Sequence, residues 1–359
     1  MNGGEITKKL YAIFACLLFV GTILTASAVV VAKRPENPGG GGGGGPTGTI
    51  FFNMYDNNDD LYIWTISPDG SGLTKQNLMV DGVQSLSWKT HNEHYWYVGL
   101  VAIDGETYND GLPRQEIYAI RDDNNMGFFM TDDEDMAFAP TDPGEQLLWV
   151  PGDEYISWVG KVWTDQGGGT YAYDDYGIYR AEVEYDENGE VSGLGEPEFV
   201  YNTGFYYDKS DDTYVPDIYE YSWNPDGDQI AFNMHDGYIY IDSIHGDTPT
   251  QLTNGGQPKW SPDGTKIAFG RHQEILVINV DGTDETSLEK VKTSQGSFTG
   301  IHGHDWSPDS KYLLYTIWVI GRATWNKKTT MYTIEPDGSG RSSISGLSVS
   351  TWKSSRDWR

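Results

Sequence analysis

The chain is poor in the residues that most reactive sites need. It has one cysteine, Cys16, so no disulfide can form within it, and that cysteine lies in an apolar N-terminal stretch away from everything that looks folded. Basic residues are scarce, 24 Lys and Arg against 53 Asp and Glu, which leaves a formal net charge of -29. Such a surface repels phosphates, which excludes a nucleic-acid partner held through the backbone. There are only seven histidines. No Gly-x-Ser-x-Gly elbow and no phosphate-binding or dinucleotide signature occurs, which removes the commonest hydrolase and nucleotide readings.

Apolar length is concentrated in one place. Residues 10–32 form an uncharged run of 23, with Lys8 and Lys9 before it and Lys33 and Arg34 after it. A helix of that length crosses a hydrocarbon layer of about 30 Å, so residues 10–32 are expected to be a transmembrane signal-anchor, or a signal peptide cleaved near Ala26-Ser27-Ala28. Residues 1–9 are then a short tail. Residues 33–48, with seven consecutive glycines at 39–45, are a flexible linker. The implied placement is a single-pass protein of the cell membrane with its folded part outside the cytoplasm, or a secreted one if the signal is removed.

What abounds after residue 49 is a repeated hairpin. Gln257 to Phe269 reads as a short strand ending in Trp260, a Ser261-Pro262-Asp263-Gly264 turn, and a second strand with alternating apolar residues. The same phrase returns around Trp223 and Trp306, more faintly around Trp88 and Phe138, and as a first strand alone at Trp352. These anchors stand 37 to 50 residues apart, except for one interval of 85. A period near 40–50 residues filled with short strands indicates a β-propeller. The expected fold is all-β: a propeller of six blades over 49–359, with seven as the fallback if the long interval holds two. Thr49 begins where a second strand should stand, so the missing innermost strand is expected from the C-terminus, near 348–353.

Trp260-Ser261-Pro262-Asp263-Gly264-Thr265-Lys266-Ile267-Ala268-Phe269 and its relatives resemble the WD-type propeller repeats of the TolB-like family over roughly residues 48–359. That resemblance implies a six-bladed platform for protein interaction in a bacterial envelope. Related repeats in oligogalacturonate lyases imply an alternative, a propeller that binds or degrades polysaccharide; a structural surface component is a third.

Candidate chemistry is sparse. His302 and His304 are the most metal-like pair, because residues i and i+2 of a strand share a face, but a third ligand must come from elsewhere. Acidic loops at 56–60, 122–125, 132–135 and 208–212 are possible Ca2+ sites without the full calcium-loop spacing. The Pro-Asp-Gly aspartates Asp69, Asp226, Asp263, Asp309 and Asp337 are expected to hold their own turns. Long loops at 104–114, 151–175 and 204–216 bring together Tyr155, Trp158, Trp163, Tyr171, Tyr173, Tyr206, Tyr207 and Tyr214 among carboxylates, a composition suited to a protein or polysaccharide partner. The balance favours binding over catalysis, with no catalytic residue nominated.

Overall fold

In the computed structural model, the residues described are 46–55, 61–79, 83–91, 94–107, 113–121, 127–130, 147–152, 154–165, 171–208, 213–246, 248–292, 297–321, 327–344 and 356–358. The expected anchor or signal at 10–32 and nearly all of the glycine linker fall outside them. So do Phe138, Trp352 and, apart from Asp208, the four acidic loops. Among the described residues no helix is long and apolar enough to cross a membrane.

The blade around Trp260 shows how sequence becomes structure. Strands β19 (Gly256–Trp260), β20 (Lys266–Arg271), β21 (Glu274–Asn279) and β22 (Thr286–Lys290) form one antiparallel sheet in that order. Its middle strands are buried on both faces, which is why they are apolar nearly throughout. Ile267, Phe269, Leu276 and Ile278 pack with Trp260, Ala231 and Ile239 on the side of the preceding blade. Ala268, Ile275 and Val277 face the other way and pack with Trp306, Leu313 and Tyr315 of the following one. Successive residues thus serve alternate seams, as the two-residue period of a strand requires.

The same construction gives the blade of β15 (Ile218–Trp223), β16 (Gln229–Met234), β17 (Tyr238–Ser243) and β18 (Thr250–Asn254). It also gives β23 (Ser297–Trp306), β24 (Leu313–Gly321), β25 (Lys327–Ile334) and β26 (Ser342–Ser343), and β4 (Val83–His91), β5 (His94–Thr107), β6 (Pro113–Arg121) and β7 (Gly127–Phe129). The fifth four-stranded sheet joins the two ends of the folded chain. Its order is β27 (Arg356–Trp358), β1 (Ile50–Tyr55), β2 (Leu61–Ile66) and β3 (Thr74–Met79). Ile50 pairs with Trp358 and Phe52 with Arg356, so the innermost place is filled by 356–358, several residues later than the 348–353 expected.

The expectation of six such blades, or seven, is corrected: among the described residues the propeller has five four-stranded blades. Most of the long interval folds differently, as a five-stranded sheet of β8 (Leu148–Trp149), β9 (Tyr155–Asp165), β10 (Tyr171–Tyr185), β11 (Val191–Leu194) and β12 (Glu198–Asn202). β10 is long enough to pair β11 through Val183–Tyr185 and β12 through Gly177–Arg180, so one strand carries two partners end to end. Residues 151–175 are therefore in part the sheet's own middle strands, not an added loop. Ile156 and Trp158, 0 % and 1 % exposed, pack in a core shared with Ile117 and Ala119 of β6.

The turns hold themselves. Asp263 Oδ1 accepts hydrogen bonds from Ser261 Oγ at 2.7 Å and from the Thr265 N–H at 3.0 Å, while Ser261 Oγ accepts from the Lys266 N–H at 3.0 Å. Ser307 and Asp309 repeat the arrangement, and Asp69 and Asp337 bond Ser71 and Ser339. These bonds hold the carboxyls of Asp69 and Asp337 below the usual range. In the blade of β15–β18 Asn224 takes the serine's place, its Oδ1 accepting from the N–H groups of Asp228 and Gln229.

Candidate functional site

Connections in a four-stranded antiparallel sheet alternate between its two ends. Turns joining first to second and third to fourth strands share one end, and these are the short turns: 224–228, 261–265 and 307–312 of the first kind, 67–71, 186–190 and 335–339 of the second. Connections from second to third strand, and from one sheet to the next, emerge at the other end. All the long hairpins are of this second kind, so they rise from one face of the propeller, here called the crown.

The lengths differ greatly. In a compact blade β20 and β21 pair from Lys266–Asn279 to Arg271–Glu274. β9 and β10 pair from Tyr155–Glu182 to Asp165–Tyr171, and β24 and β25 from Leu313–Ile334 to Ile320–Lys327. At about 3.3 Å per residue the β9–β10 hairpin extends roughly 15 Å further than the hairpin of a compact blade such as β20–β21. Beside it, between β12 and β15, the separate ribbon of β13 (Phe205–Asp208) and β14 (Thr213–Pro216) leaves the same face. Trp163 is the register partner of Tyr173, Asp165 of Tyr171, and Tyr207 of Tyr214. Directly paired residues and those two apart occupy one face of a ribbon, so positions 163, 165, 171 and 173 lie together.

Six of the eight aromatic candidates, Trp163, Tyr171, Tyr173, Tyr206, Tyr207 and Tyr214, therefore occupy crown strands. The other two do not. Trp158 is core, its ring stacked on Tyr179 at 6.3 Å. Tyr155 starts β9 at the short-turn end, where the Arg180 guanidinium lies 4.7 Å from its ring centre and bonds Glu198 at 2.8 Å.

A register shift falls within the histidine pair. Gly303, at φ 50, is an extra residue in β23, so His302 pairs with Thr316 and His304 with the adjacent Tyr315. That extra residue breaks the strict two-residue alternation on which the shared-face expectation rests. His304 is 3 % exposed and turned toward Lys259 and the backbone of Gln257 and Ala268; neither ring nitrogen completes a well-formed hydrogen bond. Burial, with Lys259 nearby, lowers its pKa to about 4. Among the described residues no three His, Cys, Asp or Glu side chains converge as a metal site.

A polar seam near the innermost strands was not singled out by sequence. Gln257, at φ 58, donates its amide to buried Glu220 at 3.2 Å, and its backbone N–H reaches Asn233 Oδ1 at 3.3 Å. Ser222 Oγ, on the same face as Glu220, accepts from the Trp260 N–H at 3.0 Å. The strands β4, β15, β19 and β23 all carry a register shift shortly before their anchor tryptophans, at 83/86, 218/220, 256/259 and 302/304. Glu220, Gln257 and Gly303 each stand three residues before Trp223, Trp260 and Trp306, and that common offset is the signal that could have marked them. These contacts fix inner strands against each other. They place no base beside a nucleophile: Ser157 Oγ, the most buried hydroxyl of the third sheet, accepts from Trp223 Nε1 at 2.8 Å and shares a bond of 3.0 Å with Tyr221.

No protein-family model matches the chain, and no curated protein matches it. Solved structures do. A protein of Agrobacterium tumefaciens assigned as TolB is 14% identical over 82% of this chain and 80% of its own, with a TM-score of 0.40. One of Bacteroides uniformis assigned as a 6-phosphogluconolactonase is 12% identical over 82% and 81%, with a TM-score of 0.41. The periplasmic gluconolactonase of Pseudomonas aeruginosa is 11% identical over 84% and 97%, with a TM-score of 0.43. Membership of the TolB-like family is not established by these similarities, and no activity follows from them.

Proposed function

We propose that this chain is an extracytoplasmic binding propeller, carried on its N-terminal segment, that takes a neutral polysaccharide across the crown. The observation that supports this is the common direction of the long hairpins, with register-paired aromatic positions beside carboxylates at 163, 165, 171 and 173. Aromatic rings offer flat apolar area to the C–H faces of sugars, and carboxylates accept hydroxyl hydrogen bonds. A partner of neutral charge meets no repulsion from a chain of net charge -29.

The test is affinity electrophoresis in gels containing neutral polysaccharides, with the natural protein and a variant whose residues 163–174 are replaced by Asn-Gly. Val162 and Asp175 are register partners, so a two-residue turn can close the shortened hairpin. Retardation of the natural protein and its loss in the variant, with an unchanged melting temperature, is the expected outcome. Equal retardation of both, or none of the natural protein by any neutral polysaccharide, rejects the reading. The second reading, a protein partner with a basic surface, is favoured by the net charge; hairpin-dependent capture of such a partner without any polysaccharide binding would select it.

A further inference from the structure

On the opposite, short-turn face, the seam between the β15–β18 and β19–β22 blades opens into a cavity of about 350 Å³. Ile241, Val280 and the edge of Trp260 form its apolar walls, and Asp226 and Asp281 stand at its polar side. The next seam shows why it is open. There Ser310, the counterpart of Gly264, bridges the blades by accepting the Asp263 N–H at 3.0 Å. Gly264, at φ +74, has no side chain to do this, and a Cβ built on it would come within 3.4 Å of Pro225 Cγ, next to Asp226. A missing side chain thus leaves a recess where the neighbouring seam is bridged.

The carboxylates are available to a ligand. Among the described residues Asp226 makes no hydrogen bond or ion pair, and Asp281 uses only Oδ1, toward the N–H and hydroxyl of Thr283 at 3.0 and 2.6 Å. The Trp260 indole N–H is already given to the Gly264 carbonyl at 3.2 Å, so the ring contributes surface and no donor demand. Carboxylates above apolar and aromatic walls, in a volume at the small end of ligand pockets, suit a cation on an apolar stem. We infer that this recess receives an arginine side chain from a protein partner, its methylenes against Ile241 and Val280 and its guanidinium bonded to Asp226 and Asp281. The planar fork of the guanidinium matches carboxylate oxygens better than a lysine ammonium does.

The inference is independent of what the crown binds. Ligand-observed NMR on the purified full chain in detergent, with blocked Gly-Arg-Gly, Gly-Lys-Gly and Gly-citrulline-Gly peptides, tests it. Citrulline keeps the shape and removes the charge. The arginine peptide is expected to bind at about millimolar strength, at least about tenfold more tightly than the citrulline peptide and more tightly than the lysine peptide. Asp226→Asn with Asp281→Asn should weaken it by about tenfold or more, and Gly264→Ser, which supplies the hydroxyl found at Ser310, should do the same by filling the recess. Both variants should melt within a few degrees of the natural protein. Equal binding of citrulline, no binding at all, or unchanged binding by the aspartate variant overturns the proposal.

Discussion

Trp306 donates its indole N–H to the backbone carbonyl of Lys259 at 2.9 Å, across the seam between two blades. The ring is 2 % exposed and packs with Ala268, Ile275 and Val277 of the neighbouring sheet. One residue of the repeat phrase thus fastens its own blade to the one before it. Trp223 does so through a side chain, Ser157, whereas Trp260 turns its N–H onto its own Gly264 and leaves the seam to Ser222.

Replacing Trp306 by phenylalanine should cost about 2 kcal/mol, from a lost hydrogen bond and lost volume, and alanine about 3–5 kcal/mol. Urea denaturation of the two variants measures both. A phenylalanine variant as stable as the natural protein would mean that the Lys259 carbonyl finds another donor.

Ser157→Ala should be more costly than its size suggests. The hydroxyl is completely buried and serves Trp223 and Tyr221 at once, so its loss removes two buried hydrogen bonds, for about 2–4 kcal/mol. Burial raises the Tyr221 pKa far above its ordinary value, so the phenol stays protonated and cannot recover by ionising. A double variant with Tyr221→Phe should lose less than the sum of the single changes, because both remove the same Ser157–Tyr221 hydrogen bond.

Ending the chain after Ser355 removes β27 and exposes the edge of β1, where Ile50, Phe51 and Phe52 are otherwise almost wholly buried. The thermal midpoint should fall by roughly 5 °C or more, since each kcal/mol shifts a large domain by about 2–4 °C or less. An unchanged midpoint would show that the ring closes without this strand.

His304 gives the fold an acid limit. Its folded pKa of about 4 lies below the ordinary 6.5, so the unfolded chain takes up the proton first. Stability from this group is complete above about pH 6.5 and declines as pH falls toward 4, by roughly 1.4 kcal/mol per unit across that window. Compared with the natural protein, His304→Gln should show a shallower loss of stability between pH 6.5 and 4.5. Parallel profiles would mean that the carboxylates alone account for the acid sensitivity.

Much of the propeller was legible in sequence because its signals are local. Ser261-Pro262-Asp263-Gly264 encodes its turn in bonds that span five residues, and Ile267-Ala268-Phe269 encodes two buried faces by alternation. The third sheet was not legible. Leu148 and Trp149 pair with Ser157 and Ile156 at one end of the described sheet, and a strand's place in a sheet is set by what lies beside it and not by its own residues. Trp158 read as part of an exposed excursion for the same reason.

The sequence by itself determined the repeating hairpin, the all-β class and the self-sufficient Asp-held turns, since each depends on neighbours within a few positions. Only the tertiary structure decided the number of four-stranded blades, the crown shared by the long hairpins, and the recess left by Gly264. It also decided that one extra residue, Gly303, shifts the register between positions 302 and 304. Those outcomes depend on register and on which sheet stands next, and both are set by pairings between residues far apart in the chain.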